Sequence, residues 1–301
     1  MVSPDRTDQQ QTHDTSCSSS TPQWFRTALA TPPEHRTVQV DGANVHLRCW
    51  GQEGLPGLVL LHGGAAHSGW WDHIAPFLTG THRVVAVDLT GHGDSDWRSE
   101  YDLEVWAHEA ITAAEAGGAS GQPIVVGHSL GGWVAATVGA CHDAEVDGVV
   151  IIDSPLGDPP PEEEILRRKR RTLAVYPTRE AIAERFVPLP PQSVLPYVRD
   201  HIVEESIRPV DGGWSWKFDP SRFTAQGPLR DLLPKLGCRA AFIRGERGMI
   251  QDQMAEEIDR LLGPKVPYVE LVDTGHHPML DQPLSLITAL RMLLGQWTRG
   301  Q

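Results

Sequence analysis

A serine flanked by two glycines stands where an apolar run ends and a helix-forming stretch begins. The segment Gly127–Gly131 reads G-H-S-L-G, which fits the pattern G-x-S-x-G, and it follows the apolar residues 123–126. Small residues on both sides allow a tight strand-to-helix turn that lifts the serine hydroxyl above the carboxyl end of a sheet. The pattern therefore predicts Ser129 as a nucleophile. The alternative is a glycine-rich turn with an incidental serine.

A second glycine turn, His62-Gly63-Gly64, ends an earlier apolar run. If an acyl group is attacked, the loop after such a strand must offer a backbone N–H to the oxyanion. We expect this donor to be Gly64, because a glycine leaves room for a substrate carbonyl, and we expect the Leu130 N–H to be the second donor. The alternative is a plain glycine turn.

A histidine pair near the C-terminus, His276-His277, follows the last apolar run. A histidine on this loop can reach Ser129 from the opposite side, and we expect His276 rather than His277 to act as the general base. The chain contains no HExxH motif, since His108-Glu109 is followed by Thr112 where a second histidine would stand. No catalytic metal is therefore expected.

Four sequence motifs, in their order along the chain, resemble those of the α/β-hydrolase fold superfamily. They are His62–Gly64, Asp88–Ser95, Gly127–Gly132 and Gly275–Pro283. The resemblance covers residues 37–299 and is weakest in 155–229. It implies that nucleophile, acid and histidine follow in that chain order, with Ser129 as nucleophile and His276 as base.

The sequence departs from the superfamily pattern at the acid. The superfamily usually keeps an Asp a few residues beyond the strand that ends at Arg244, in strings such as G-x-x-D, whereas this chain reads Gly245-Glu-Arg-Gly248. We favour Asp153, which ends the preceding strand, a position that some superfamily members use for their acid. Glu246, a longer side chain on the usual strand, is the alternative, and a site without an acid is a third possibility.

Apolar runs and helix-forming stretches alternate along the chain, and they must position these residues. The runs are continuous rather than alternating with polar residues, which indicates strands buried on both faces, and hence a parallel sheet covered by helices. Extended residues also flank Asp41-Gly42, a hairpin signal. The predicted fold class is α/β, with a mostly parallel eight-stranded sheet, helices on both faces and a helical cap.

The cap is predicted from a segment that interrupts this alternation. Residues 155–229 separate two sheet strands by far more than a crossover requires, so we interpret them as a mostly helical cap between the core parts 23–154 and 230–301. The basic run Arg167–Arg171 is interpreted as a solvated helix face. Residues 1–22, which are rich in Gln, Ser and Thr, are predicted to be a disordered tail.

The composition excludes several classes of partner. Of 301 residues, 39 are acidic and 26 basic, and a net charge of −13 argues against nucleic acid or an anionic membrane as the partner. The N-terminal residues lack the apolar core of a signal peptide, and the four cysteines are widely spaced. We therefore expect a cytoplasmic protein.

The predicted function is cleavage of a small, apolar carboxylic ester through an acyl-enzyme, without a cofactor. Trp70 and Trp133, which follow the oxyanion loop and the serine, are candidates for an apolar substrate pocket, although packing would also explain them. Relatives in the superfamily with the same Ser-His layout include lactonases, C–C bond hydrolases and perhydrolases. A non-catalytic small-molecule receptor of the same fold is the alternative of another class.

Overall fold

The computed structural model describes residues 21–157, 163, 167, 170–221 and 229–299. Residues 1–20 of the predicted disordered tail therefore lie outside the described residues. The strands in chain order are β1 (Glu34–Val40), β2 (Ala43–Trp50), β3 (Pro56–Leu61), β4 (Arg83–Val87), β5 (Ser120–His128), β6 (Gly148–Ile152), β7 (Ile207–Val210), β8 (Gly213–Trp216), β9 (Arg239–Arg247) and β10 (Tyr268–Gly275).

Eight of these strands form one sheet in the order β1-β2-β4-β3-β5-β6-β9-β10. β1 and β2 are antiparallel to each other and β2 is antiparallel to β4, whereas the remaining neighbours pair in parallel. The predicted, mostly parallel eight-stranded sheet is confirmed. The predicted hairpin is confirmed as well: Asp41 and Gly42 both have positive φ, as a two-residue type I′ turn requires.

Helices cover both faces of this sheet. The α-helices are, in chain order, α1 (Gln23–Leu29), α2 (Leu103–Ala116), α3 (Leu130–Cys141), α4 (Arg179–Ala183), α5 (Pro196–Ser206), α6 (Leu229–Leu232), α7 (Asp252–Leu262), α8 (Pro278–Asp281) and α9 (Pro283–Arg299), of which α4 and α5 belong to the segment 155–229. Separate apolar cores lie on the two faces. Residues 58–61 of β3 and 84–87 of β4 are all fully buried, which explains why their sequence is continuously apolar. Among the described residues, no helix is long and apolar enough to cross a membrane.

The segment predicted as a mostly helical cap contains a β-hairpin as well as helices α4 and α5. β7 and β8 pair across Asp211-Gly212, so the expectation for 155–229 needs this correction. The hairpin forms because Asp-Gly supplies the turn, and the cap closes a small core of its own around Ile182, Val203 and Ile207. Of the basic run, Arg167, Arg170 and Arg171 are exposed, and residues 168–169 lie outside the described residues.

Candidate active site

Ser129 lies at the sharp turn between β5 and α3. Its φ of 52° and ψ of −112° are unusual for a residue with a side chain, and such strain is held only where the surroundings enforce it. The two flanking glycines are required sterically. A β-carbon at Gly127 would lie 1.9 Å from the Gly131 carbonyl oxygen, and one at Gly131 would lie 2.6 Å from that of Leu61. The G-x-S-x-G spacing thus follows from the tightness of this turn.

Ser129, His276 and Asp153 form a chain of hydrogen bonds in which His276 and Asp153 are buried and Ser129 is partly exposed. The Ser129 Oγ–His276 Nε2 distance is 3.1 Å, and His276 Nδ1 lies 2.6 Å from Asp153 Oδ2. Because a carboxylate only accepts hydrogen bonds, Nδ1 carries the ring proton and donates it to Asp153, while Nε2 keeps a lone pair and accepts from the serine hydroxyl. The arrangement allows His276 to take a proton from Ser129 and Asp153 to stabilise the resulting imidazolium.

The Asp153 carboxylate is held by the loop that follows β9. Asp153 comes directly after β6 with a φ of 42°, a turn that aims its side chain toward the neighbouring strand. Its Oδ1 accepts from the Gly245 N–H at 3.1 Å and its Oδ2 from the Met249 N–H at 2.9 Å. These contacts fix the carboxylate next to His276, and Asp153 is fully buried.

Glu246, the alternative acid, does not contact His276. Its side chain is exposed, and its Oε2 accepts from the backbone N–H of Asp273 at 2.6 Å. The Glu246 carboxylate is therefore engaged by the backbone of β10, whereas the His276 ring contacts Asp153. The expectation that Glu246 could serve as the acid is therefore not supported by its position.

The loop that carries His276 is fixed from two sides. The Gly275 N–H donates to Asp281 Oδ2 at 2.7 Å, and His128 Nε2 donates to the His276 carbonyl at 2.8 Å. Burial lowers the pKa of His128 well below its ordinary value, so this ring is neutral. The histidine of the G-H-S-L-G string thus positions the loop opposite the serine, a role that the sequence alone did not reveal.

Gly64 and Leu130 lie where a pair of oxyanion donors is expected. Gly64 lines the same cavity as Ser129 and His276, and Leu130 is the first residue of α3. In the described part of the chain, neither N–H donates to a protein acceptor. Gly64 lines the cavity itself, and Leu130 directly follows the cavity residue Ser129. The buried His62, by contrast, accepts from the Leu89 N–H at 3.2 Å.

Comparison with known proteins places this chain in a family. The sequence profile of the Alpha/beta hydrolase family matches residues 58–289, about three quarters of the chain. The chain belongs to the α/β hydrolase family. Its relatives include the esterase Rv0045c of Mycobacterium tuberculosis, 29% identical over 272 residues that cover 87% of this chain and 89% of that protein. The lipase LipV of the same organism is 25% identical over 265 residues, 84% of this chain and 98% of that protein. The protein is therefore a hydrolase.

Solved structures agree on the fold of this α/β hydrolase. The thioesterase domain from the curacin biosynthetic pathway superposes with a TM-score of 0.74, covering 86% of this chain and 98% of that domain. Its 19% sequence identity limits the likeness to the fold.

A cavity of about 360 Å³ opens beside Ser129 of the hydrolase. Gly64 and His276 lie in its wall. Apolar side chains from the core and the cap make most of the remaining wall: Trp70, Phe186, Leu189, Trp216, Phe218 and Met249. Arg185 and Lys217 also line it, and no carboxylate occurs among its described lining residues. Trp70 is thus placed as expected from the sequence.

Trp133, the other tryptophan expected in the pocket, does not line this cavity. It lies on α3, and its indole N–H donates to the Pro155 carbonyl at 2.9 Å. This contact fixes the chain where it leaves the core toward the cap, so Trp133 is a packing residue and the expectation is corrected. Trp216 of β8, which the sequence analysis did not name as a pocket residue, lines the cavity instead.

Proposed function

We propose that this α/β hydrolase is a serine esterase with Ser129 as nucleophile, His276 as general base and Asp153 as the acid that orients it. The observation that carries the proposal is the hydrogen-bonded chain from Ser129, at the cavity, through His276 to the buried Asp153. Two relatives of substantial coverage are an esterase and a lipase, which supports the choice of an ester.

In the first half of the reaction, Ser129 Oγ forms a bond to the ester carbonyl carbon while its proton passes to His276 Nε2. The negative charge that develops on the carbonyl oxygen is stabilised by the Gly64 and Leu130 N–H groups. The intermediate then collapses with cleavage of the bond between the acyl carbon and the alcohol oxygen, and His276 protonates the departing alkoxide. Ser129 is left acylated.

In the second half, water attacks the acyl carbon and gives a proton to His276. Collapse of this intermediate releases the acid and returns the proton to Ser129, so the residues end as they began. All proton transfers are carried by residues of the chain, and the mechanism uses no cofactor.

The cavity favours a small substrate with an apolar group. Its volume of about 360 Å³ is near the lower end of the usual range for ligand pockets, and aromatic side chains such as Trp70, Trp216 and Phe218 supply apolar area. Lys217 in the wall is paired with Asp94 at 2.9 Å, and Arg185 also lines the cavity, so a neutral or anionic ester is favoured over a cationic one.

The proposal is tested with Ser129→Ala and a series of p-nitrophenyl esters of increasing chain length. We expect the variant to lose labelling by a fluorophosphonate probe and about 10⁴-fold or more of kcat, because the residues of such a site fail as a unit. Ser120→Ala is the matched control, since Ser120 is exposed and remote from the cavity. Unchanged hydrolysis by Ser129→Ala would refute the proposal. Lactones, β-diketones and peracid formation are assayed in parallel, because they are alternative reactions of a Ser-His site.

A further inference from the structure

Three histidine rings are packed against one another at the base of the cavity. The ring centroids of His128, His276 and His277 lie 4.5 to 5.1 Å apart. All three residues are buried, and one ring nitrogen of each lies within 4.8 Å of one from each of the others. The proposed esterase mechanism uses only His276.

The hydrogen bonds of these rings determine which nitrogens carry protons. His276 donates from Nδ1 to Asp153, His128 from Nε2 to the His276 carbonyl, and His277 from Nε2 to the Leu189 carbonyl at 3.1 Å. Carbonyl and carboxylate oxygens only accept, so the other nitrogen of each neutral imidazole carries a lone pair, and that of His276 accepts from Ser129. Two of these, Nδ1 of His128 and Nδ1 of His277, are buried with no hydrogen-bond partner among the described residues.

This pattern is the one that metal-binding histidines show. A ligating imidazole almost always donates its second ring nitrogen to a carboxylate or a backbone carbonyl, which fixes its tautomer. All three rings have such a contact already. His276 and His277 line the cavity, so a dissolved ion can reach the cluster from there.

The other group of possible ligands lacks these properties. His46, Asp88 and Asp94 are also close together. However, Asp88 Oδ1 accepts from the Ser68 N–H, and its Oδ2 accepts from the Asp94 N–H and His46 Nδ1. Its acceptor atoms are therefore engaged. Ions such as Zn²⁺ and Cu²⁺ also favour imidazole nitrogen over carboxylate sites that suit Mg²⁺ or Ca²⁺.

We propose that His128, His276 and His277 form an inhibitory site for a divalent transition-metal ion of the Zn²⁺ and Cu²⁺ class. Metal–nitrogen bonds of about 2.0–2.1 Å require the rings to draw together around the ion. Binding takes up the Nε2 lone pair of His276, which Ser129 needs for deprotonation. The inhibitory effect rests on the proposed esterase function, whereas binding of the ion does not.

Binding is measured by titrating tag-free protein with Zn²⁺ in a calorimeter, and with Co²⁺ while recording the visible absorption of four-coordinate cobalt. We expect one ion per chain at this site in the wild type and in Ser129→Ala, and at least tenfold weaker binding in His277→Gln. His46→Gln is the control and should bind as the wild type does. Equal affinity of His277→Gln and wild type, or loss of binding in His46→Gln, would overturn the proposal.

A second measurement uses the wild-type chain alone, which covers the case that a buried variant does not fold. Oxidation by Cu²⁺ and ascorbate modifies residues that ligate copper, and peptide mass spectrometry should find the modification in the peptides that carry His128 and His276-His277. Modification confined to other peptides would contradict the site. Turnover should fall in parallel with Zn²⁺ occupancy and return on addition of EDTA. Full esterase activity at full Zn²⁺ occupancy would refute the inhibition. If the metal-free protein has no esterase activity, only the proposed function is refuted.

Discussion

The carboxyl group of Asp153 lies in the space that a side chain at Gly248 would fill. A β-carbon at position 248 would be 2.4 Å from Asp153 Oδ1 and 2.5 Å from Oδ2, far closer than two such atoms approach in proteins. Gly248 is the last residue of Gly245-Glu-Arg-Gly248, where the superfamily pattern G-x-x-D has its acid. β6 and β9 are parallel neighbours, so an acid at the end of either strand can reach the same point. The two positions are therefore mutually exclusive sites for one carboxylate.

Gly248→Ala should displace this carboxylate and impair catalysis while the protein stays folded. A misplacement of about 1 Å in such a site can reduce the rate by about 100-fold, which is the loss of kcat that we expect. Gly80→Ala is the matched control, because a β-carbon there meets nothing within 4 Å. Steady-state kinetics and thermal melting of both variants provide the measurement. Wild-type kcat in Gly248→Ala would show that the carboxylate does not contribute to the rate.

Moving the acid from β6 to the loop after β9 should restore activity. In Asp153→Gly the glycine accepts the positive φ of position 153 and empties the space that Gly248→Asp would then fill. We expect the double variant to exceed Asp153→Gly by at least tenfold in kcat, a coupling that a double-mutant cycle quantifies. If the double variant is as inactive as the single one, the two positions are not equivalent.

Asp153→Asn and Glu246→Gln should separate the two carboxylates that the sequence offered as acids. An amide at 153 cannot stabilise the imidazolium of His276, so kcat should fall by about 10³- to 10⁴-fold. Glu246→Gln should cost less than about tenfold, since the Glu246 carboxylate is exposed and accepts from the Asp273 backbone rather than from His276. Kinetics in parallel, with circular dichroism as the folding control, distinguish them. The reverse order of effects would reassign the acid.

Much of the fold and the candidate site could be predicted because both depend on local patterns. Continuously apolar runs marked the buried strands, and glycines at 127 and 131 marked a turn in which any larger residue collides with backbone. The choice between Asp153 and Glu246 could not be made in this way. It depends on where the Glu246 side chain lies and on the space beside Gly248 that the Asp153 carboxylate fills, both of which are properties of the packed sheet.

The cap shows a different limit of the same reasoning. Asp211-Gly212 between β7 and β8 is the same hairpin signal as Asp41-Gly42, but the helical cap was predicted from the length of the segment alone. Trp133 and Trp216 could not be told apart from composition. Pocket walls consist of whichever side chains face the cavity, and that direction depends on how the cap is seated on the core.

The stability of the folded state should fall steeply below pH 6.5. Burial lowers the pKa of His67 and of His277 to about 3 and that of His73 to about 4. In the unfolded chain these groups have a pKa near 6.5. Below that pH the unfolded state binds more protons than the folded state and is stabilised relative to it. Each such histidine reduces the free energy of unfolding by up to about 1.4 kcal/mol per pH unit between pH 6.5 and its folded pKa. Above pH 7 these groups have no effect.

Urea unfolding at pH 8, 7, 6 and 5 measures this dependence. His73→Gln serves as the diagnostic variant, because His73 is remote from the cavity lining and an amide can replace its donor to the Met279 carbonyl. Its slope between pH 6 and 5 should be shallower than that of the wild type by about 1.4 kcal/mol per pH unit. A constant free energy of unfolding from pH 7 to pH 5 would contradict the neutral, buried state of these histidines.

Trp216 in the cap should determine the preference for acyl chain length without contributing to the chemical step. Its ring lies 6.3 Å from that of Phe186, and both line the cavity beside Ser129. Removing this apolar wall with Trp216→Ala should lower kcat/KM for a hexanoate ester relative to an acetate ester by about 10- to 100-fold, since a methylene group in an apolar pocket is worth about 1–3 kcal/mol. Trp133→Phe is the matched control, because Trp133 lies outside the cavity wall. The variant loses the hydrogen bond to the Pro155 carbonyl but should keep the wild-type ratio of kcat/KM between the two esters. If Trp216→Ala leaves the hexanoate-to-acetate ratio of kcat/KM unchanged, the acyl group lies elsewhere. If Trp133→Phe changes this ratio as much as Trp216→Ala does, the position of the cap determines the preference, rather than direct contact with the acyl chain.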